Sequence, residues 1–265
     1  MSKIIGIISI KGGVGKTSIA VALAAALASE FNKKVLVVDA NFSAPNLALH
    51  LGIVNPEITL HHVLRNRANI EEAVHKLEKS FHIIPGALLY RKINPFKLKK
   101  KIKQLKDNYD FILIDSSPTL NEEILATMIA SDELFVVTTP DHVTLSTTLR
   151  AVRLAKQRKT PITGLILNKV NKKNFELSLD EIERISECNV LAVLPYEIHI
   201  LEALSKNTPS TLHKQTDSTI EFKKLAAALI GEDYKDLRFK SKIKNFFKKN
   251  IPKQEINRAL FREER

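Results

Sequence analysis

A glycine-rich loop near the start of the chain limits what this sequence can fold into. An apolar run with strand character precedes the loop, and an alanine- and leucine-rich helical pattern follows it. Glycines adopt positive φ and let backbone N–H groups approach an anion closely, while a helix N-terminus adds the positive end of its dipole. A strand, such a loop and a helix in this order predict an α/β fold with a phosphate site at Lys11, Gly12, Gly13, Val14, Gly15, Lys16, Thr17 and Ser18.

Two side chains at the end of the loop have the chemistry that a nucleotide and its metal ion require. Lys16 is placed to reach the β- and γ-phosphates, and the Thr17 hydroxyl is placed to ligate Mg²⁺. Ile10 stands where the general pattern has glycine, but the flanking strand and helix still support the assignment. We therefore expect ATP and Mg²⁺ as cofactors.

Short β-branched runs alternate with helical patterns, which is typical of a parallel sheet covered by helices. The strands are predicted at Ile4–Ser9, Val35–Asp39, His82–Ile84, Phe111–Asp115, Leu134–Thr138, Ile162–Asn168 and Val190–Leu194. The helices are predicted at Thr17–Glu30, Pro95–Lys106, Glu122–Ala130, Thr144–Lys159, Leu179–Glu187, Ile198–Leu204 and Ser218–Ile230. Because the strand runs are continuously apolar, we expect a three-layer, mostly parallel twisted sheet with helices on both faces.

Gly231 is a helix stop signal, so the predicted division is a P-loop domain over residues 1–231 and a basic amphipathic tail over residues 232–265. The net charge of +12 is concentrated in two segments. Arg91–Lys106 has eight basic residues and no acid, and Lys235–Arg265 has eleven basic residues against four acids. Such concentration favours an anionic partner, either a lipid surface or nucleic acid. A solvated helix face explains the first segment equally well.

Features that the sequence lacks exclude several other classes. It has no run of about 18 uncharged apolar residues that could span a membrane. The N-terminal apolar stretch is part of the loop motif rather than of a signal peptide. A single cysteine, Cys188, excludes a disulfide framework and a CxxC site, and the absence of GxGxxG excludes a dinucleotide dehydrogenase. We expect a cytoplasmic protein.

The second lysine of the loop, Lys11, resembles the deviant Walker A motif of the MinD/ParA ATPases, with MinD as the closer match. The resemblance implies that Lys11 reaches across a dimer interface to phosphate bound by the partner subunit. Residues 37–47 are similar to the family's switch I, and residues 111–118 are similar to its Walker B and switch II motifs. It follows that Asp39 and Asp115 lie near the metal ion. Asn168, Pro195 and Tyr196 resemble the family's adenine contacts.

Asn41 departs from the family pattern. The family usually has Asp-x-Asp in switch I, whereas this chain has Asp39-Ala40-Asn41. An asparagine can orient a water molecule by hydrogen bonding but cannot take its proton. Phosphoryl transfer depends chiefly on positioning and electrostatics, so we expect an ATPase with slow turnover, whose catalytic residues are Lys11, Lys16, Asp39 and Asn41.

Relatives with other activities fit less well. Iron–sulfur scaffolds of the same superfamily need paired cysteines, and the chain has only Cys188. A tyrosine kinase of this fold is expected to have a tyrosine cluster near its end, but the last tyrosine here is Tyr234. A spatial regulator or a partitioning ATPase remains.

The basic tail has a helical pattern that ends at Pro252. On a helix, its apolar residues fall within one stripe and most of its lysines fall on the other side, which describes an interfacial membrane helix. The stripe consists of Phe239, Ile243, Phe246, Phe247 and Ile251. The tail also resembles the C-terminal membrane helix of MinD, although here the chain continues past Pro252. Packing on its own domain or a partner, and binding to nucleic acid, are alternatives for the tail.

Two functions of different classes follow. In one, an ATP-dependent homodimer attaches to the inner face of an anionic membrane and positions an unidentified protein partner. In the other, a ParA-like dimer binds DNA nonspecifically through Lys97–Lys106 and the tail. The aromatic stripe favours the membrane, because phosphate contacts need lysines but no phenylalanines on one face. Because of Asn41, a third function stays open: a nucleotide-gated scaffold that hydrolyses little ATP.

Overall fold

The computed structural model describes residues 2–77, 81–88, 92–236, 238 and 251–264. Within them, the strands are β1 (Lys3–Ile8), β2 (Val35–Ala40), β3 (His75–Lys76), β4 (His82–Ile84), β5 (Phe111–Ser116), β6 (Glu133–Thr138), β7 (Ile162–Val170) and β8 (Val190–Pro195). They form one sheet in the order β3-β4-β2-β5-β1-β6-β7-β8. Every neighbouring pair is parallel except β3 and β4, which are antiparallel. The predicted, mostly parallel sheet is confirmed.

The helices lie between the strands and after the last one. They are α1 (Lys16–Phe31), α2 (Leu47–His50), α3 (Leu60–Leu64), α4 (Leu98–Lys103), α5 (Glu122–Ala130), α6 (His142–Gln157), α7 (Leu179–Ser186), α8 (Ile198–Ser205), α9 (Ser210–His213), α10 (Asp217–Leu229) and α11 (Lys253–Glu263). The seven predicted strands and the seven predicted helical regions are all present, with boundaries shifted by a few residues.

The core consists of layers on both sides of the sheet. On one face, α1 and α10 pack against the centre of the sheet, with Leu23 and Leu225 buried beside Ile5. On the other face, α3 and α4 pack near β2, and α5, α6 and α7 pack near β6 and β7. Consecutive residues of β1 point to opposite faces, so a strand with a layer on each side must be apolar at every position. This explains the continuous apolar runs.

The predicted helix Pro95–Lys106 is shorter in the structure. Its first turn, Pro95–Lys97, is 3-10, and only Leu98–Lys103 is α-helical. Leu98 and Ile102 supply its buried face, and most of the lysines between and after them are solvated. These two buried side chains anchor a helix of only one and a half turns, so the predicted helix is too long.

The C-terminal region differs from the predicted division, in which residues 232–265 form a separate tail. Gly231 has φ +78° and follows the end of α10, as predicted. However, α11 packs on β8 and α10 with Asn257 and Arg258 buried, because their polar groups find partners there. Of the predicted membrane stripe, Phe239, Ile243, Phe246 and Phe247 lie outside the described residues. Ile251 is described and is 69% exposed. In the described part of the chain, no helix is long and apolar enough to cross a bilayer.

Candidate functional site

The glycine loop lies at the carboxyl end of the central strand β1 and leads directly into α1. Gly13 and Gly15 have φ values of +75° and +97°, a region that side chains with a Cβ rarely adopt. A Cβ on Gly15 would lie 2.5 Å from Nδ2 of Asn168, which is itself held by the loop. Gly15 is also the residue before the first turn of α1, so its backbone brings the helix N-terminus into the loop. The sequence pattern and the geometry agree on an anion site.

Lys16 is the first residue of α1 and is 7% exposed. Burial lowers the pKa of its ammonium group, and the negative charge of Asp115 partly opposes this effect. The ammonium group has no carboxylate within ion-pair distance in the part of the chain that the structure describes. Such a cation, buried beside a cavity, is suited to an anionic ligand rather than to structural pairing.

Two carboxylates stand opposite each other at the ends of neighbouring strands. Asp39 on β2 is in register with Asp115 on β5, and both are fully buried. Burial and, to a smaller extent, the nearby Asp115 raise the pKa of Asp39 to about 8, although three backbone N–H groups donate to Asp39 and oppose the increase. Burial also raises the pKa of Asp115 to about 6, against the opposing effects of Thr17 and Lys16. The pair is therefore costly in its doubly charged form.

These residues fit a magnesium ion. The Thr17 hydroxyl donates to Oδ2 of Asp115 at 2.6 Å, which places the two predicted ligands side by side. Oδ1 of Asp115 is buried and has no hydrogen-bond partner among the described residues. A divalent cation favours the charged form of both carboxylates, and Mg²⁺ prefers oxygen ligands. The start of α1 thus provides the hydroxyl, and the end of β5 provides the carboxylate beside it.

Asn41 lies in switch I, directly after β2. Its Nδ2 donates to the carbonyl oxygen of Ala44 at 2.6 Å, so the amide is fixed in one orientation. Its Oδ1 is buried and has no partner among the described residues. Asn41 lines the cavity, and an unpaired amide oxygen is an acceptor for a hydrogen bond from water, so its role toward the attacking water stays a prediction. Asp39 holds the same segment, because the backbone N–H groups of Asn41, Asn46 and Leu47 donate to its carboxylate.

A cavity of about 290 Å³ brings most of the predicted site residues together. Its wall consists of the glycine loop, the two switch regions, the end of β7 and the segment from Pro195 to α8. Among the predicted residues it is lined by Gly13, Gly15, Lys16, Thr17, Ser18, Asn41, Asn168, Pro195 and Tyr196. Asp39 and Asp115 lie buried behind this wall. Asn46 and His50, which the sequence did not single out, also line it.

Lys11 lies on another side of the loop. Together with Gly12 and Val14 it lines a second cavity of about 380 Å³. Its ammonium group donates to Oγ1 of Thr144 at 2.5 Å and lies 3.5 Å from Asp141. Partial burial opposes ionisation of Asp141, but the donors on Thr139 and Thr144, together with Lys11, lower its pKa to about 2. In this single chain, Lys11 is therefore held by its own subunit and away from the phosphate cavity.

Asn168 and two unpredicted residues support the loop. Nδ2 of Asn168 donates to the carbonyl oxygen of Val14 at 2.7 Å, so this group stabilises the loop. Lys169 donates to the carbonyl oxygen of Gly13 at 2.8 Å, and Oδ1 of Asn46 lies 3.0 Å from Oγ1 of Thr17. Lys169 and Asn46 are far from the loop in sequence, and no local pattern indicates that they contact it. Only the fold brings them into contact with it.

Several known proteins are similar to this chain in sequence or in structure. A family model described as an AAA domain matches residues 2–163. An uncharacterised ATP-binding protein of Methanocaldococcus jannaschii is 33% identical over 255 residues, which are 95% of this chain and 96% of that protein. The structure is similar to the septum site-determining protein MinD of Pyrococcus horikoshii, complexed with Mg-ADP, with a TM-score of 0.82 and 34% identity over 86% of this chain and 96% of that one. It is also similar to a chain of the MinC:MinD cell division protein complex of Aquifex aeolicus, with a TM-score of 0.80 and 25% identity over 89% and 99% of the two chains.

Proposed function

The chain belongs to the MinD/ParA family of P-loop ATPases, closer to MinD, and from this premise we propose that it is an ATP-dependent homodimer that acts as a spatial regulator on an anionic membrane surface. The observation that carries the proposal is the cavity in which the glycine loop, Lys16, Asn41, Asn168 and the Pro195–Tyr196 segment meet. ATP and Mg²⁺ are the ligands that this combination of groups accommodates.

Each wall of the cavity has a role in holding the nucleotide. The N–H groups of the loop and the N-terminus of α1 receive the phosphates, and Lys16 supplies the cation that faces them. Pro195 and Tyr196 form the wall farther along the sheet and contact the base. Asn168 lies between them, where it fixes the loop at Val14 while its side chain borders the cavity.

The residues around Asp115 serve the metal ion and the hydrolytic step. When bound, Mg²⁺ neutralises negative charge on the phosphate oxygens. Thr17 and Asp115 hold the ion, and Asp39 supplies the neighbouring carboxylate while keeping switch I in place. Asn41 orients a water molecule through its unpaired Oδ1 but does not take the proton, so hydrolysis is slow.

An exposed apolar rim around the cavity supports dimerisation. The loops after β5, β6, β7 and β8 leave the same edge of the sheet, because parallel strands have their carboxyl ends together. Large apolar side chains are exposed in these loops and in the first turns of α6 and α8, including Val143 at 68% and Phe175 at 82%. The others are Leu120, Tyr196 and Ile198. Exposed apolar groups in one region favour a protein interface. Lys11 lies near this region, and in the proposed dimer it leaves Asp141 and contacts a phosphate of the partner subunit.

The tail supplies the membrane contact in this proposal. The sequence Phe239–Ile251 combines phenylalanines and isoleucines with lysines, and Ile251 is exposed where the described chain resumes. One short interfacial helix binds a bilayer weakly, but two helices on one dimer bind with avidity. Membrane attachment therefore follows the ATP state. A MinD relative was crystallised with MinC, and an unidentified protein partner is part of the proposal for this chain too.

A ParA-like function on nonspecific DNA is the second candidate. The solvated lysines on and beside α4 favour it, since Lys99, Lys100 and Lys103 are exposed, and none of them pairs with an acid in the described residues. Among the described residues of this surface, Phe96 is the one exposed aromatic residue. The surface is suited to phosphate contacts rather than to insertion among lipids.

Co-sedimentation with anionic liposomes, run beside a DNA-binding assay, tests the proposal. With ATP the protein is expected to sediment with liposomes, and attachment should decrease with ADP and with added salt. Phe246→Glu with Phe247→Glu should abolish attachment while ATP binding is retained. Val54→Glu with Leu212→Glu, at two exposed positions outside the tail, adds the same charge and is the matched control. Lipid binding by the tail variant, or binding of the wild type to DNA but not to liposomes, would contradict the membrane function.

A further inference from the structure

The last strand of the sheet, β8, is an edge strand whose free side is paired by side chains. The N–H of Val190 donates to Glu183 at 2.7 Å, and the N–H of Val193 donates to Glu221 at 3.1 Å. The helix α11 supplies the other two bonds. Asn257 donates to the carbonyl oxygen of Val190 at 2.9 Å, and Arg258 donates to that of Leu191 at 2.8 Å. An edge strand otherwise leaves these groups unpaired, so α11 completes the sheet on this side.

A buried ion pair fixes α11 to its neighbour α10. Arg258 is 3% exposed and its Nη1 lies 2.7 Å from Oε1 of Glu221, while Nη2 lies 3.4 Å from Oε2. A buried arginine with two contacts to one carboxylate is held in a single geometry. The other ion pairs of α11 are more exposed, for example that between Arg262 and Asp233.

The strand β8 and the helix α10 also hold the segment that borders the nucleotide cavity. The strand β8 ends at Pro195, and Ser218 of α10 donates its hydroxyl to the carbonyl oxygen of Pro195 at 3.3 Å. The N–H of Ser218 donates to Oε1 of Glu197, also at 3.3 Å. Ser218 and Glu221 are one helical turn apart and therefore lie on one side of α10. Hydrogen bonds thus connect Arg258 to Pro195 through Glu221, β8 and α10.

A large cavity lies between α11 and this segment. It has a volume of about 810 Å³ and lies between β8, α10 and α11. Pro195 lines both this cavity and the nucleotide cavity, while Glu221 and Arg258 line only the larger one. Pro195 is therefore the lining residue that the two cavities share.

We propose that α11 is a positioning element for the nucleotide base. By holding the carboxyl end of β8 through Arg258 and Asn257, it keeps Pro195 and Tyr196 against the base. This inference rests on the proposed seating of the base in the smaller cavity. Because coupling between two sites is reciprocal, any event that draws α11 away from β8 also weakens base binding, and a bound nucleotide strengthens the docking of α11.

A double variant separates this role from general stability. In Glu221→Met with Arg258→Met, both charges of the pair are replaced by apolar groups of similar length. Such a replacement is often neutral for folding, whereas removal of one partner leaves a buried charge. Asp233→Asn with Arg262→Met removes a surface ion pair of the same helix and is the matched control.

The readout compares ATP with tripolyphosphate, which has the phosphates but no base. In the double variant, the affinity for ATP should fall by at least about fivefold. The affinity for tripolyphosphate should stay within about twofold, because the glycine loop is untouched. Arg258→Lys, which keeps one charged contact to Glu221, should lose less ATP affinity than the double variant, and the surface control should lose none.

Two outcomes would overturn the inference. Unchanged ATP affinity in the double variant means that α11 does not position the base, and equal losses for ATP and tripolyphosphate mean that the damage is general. If the wild-type protein binds ATP no better than tripolyphosphate, the base is not seated at Pro195 and Tyr196. That result would reject the proposed base site itself as well as the inference built on it.

Discussion

Lys16 in the glycine loop and Arg258 in the C-terminal helix are both buried cations, with 7% and 3% of their surface exposed. Arg258 has its counterion within the chain, in Glu221, and also donates to a backbone carbonyl group. Lys16 has no such ion pair in the described residues, and burial lowers its pKa. The difference in pairing between these two buried cations indicates different roles. A paired buried cation holds two elements of the fold in one geometry, whereas an unpaired one beside a cavity is suited to an anionic ligand.

The largest expected effect is a loss of stability in the single variant Arg258→Met. Loss of the arginine leaves Glu221 buried without its partner, which costs about 3–5 kcal/mol of the free energy of unfolding. Urea unfolding followed by circular dichroism measures this change. Arg262→Met, at an exposed pair of the same helix, should cost no more than about 1 kcal/mol. Equal effects of the two substitutions would mean that the buried pair does not anchor α11.

Lys16→Ala should show the opposite behaviour. Without nucleotide, its stability should equal or exceed that of the wild type, because a desolvated ammonium group is removed. Its binding of ATP should weaken by about 1.5–3 kcal/mol, a loss of roughly ten- to a hundredfold or slightly more. Calorimetric titration gives the affinity, and thermal unfolding without ligand gives the stability. A variant that is less stable yet binds ATP normally would show that Lys16 has a structural role like that of Arg258.

A smaller effect is expected from Asn41→Asp. The added carboxylate can accept the proton of the attacking water, so steady-state phosphate release should rise by about tenfold. The gain stays modest because Asp39 and Asp115 are close by, and a third buried carboxylate is hard to ionise. Asn46→Asp, which also places a carboxylate in the cavity wall, serves as the control. An unchanged or lower rate with ATP affinity retained would mean that residue 41 does not face the water.

The glycine loop and most of the sheet could be predicted because their signals are local. Positive φ at Gly13 and Gly15 needs glycine, and strands covered on both faces need continuous apolar runs. The helix Glu122–Ala130 was predicted with its correct boundaries, since Asn121 caps its first turn. Short elements such as α2 and β3 contain too few residues to show a periodicity.

The docking of α11 could not be predicted in the same way. Its sequence has a low apolar content, and nothing local indicates that Asn257 and Arg258 turn inward. Their partners, Glu221 and the carbonyl groups of β8, are more than thirty residues away. The contacts of Lys169 and Asn46 with the loop are also long-range. The sequence gives the number and spacing of the charged residues. Only the fold determines which of them are paired and buried.

Light scattering on the wild type and Lys11→Ala, each with ATP, ADP and no nucleotide, tests the central claim most directly. The wild type should change from the 29.8 kDa monomer to twice that mass only with ATP and Mg²⁺. Lys11→Ala should bind ATP but remain a monomer, because in the proposed dimer Lys11 leaves Asp141 and contacts phosphate of the partner subunit. An oligomeric state that ignores nucleotide in both proteins would contradict the account.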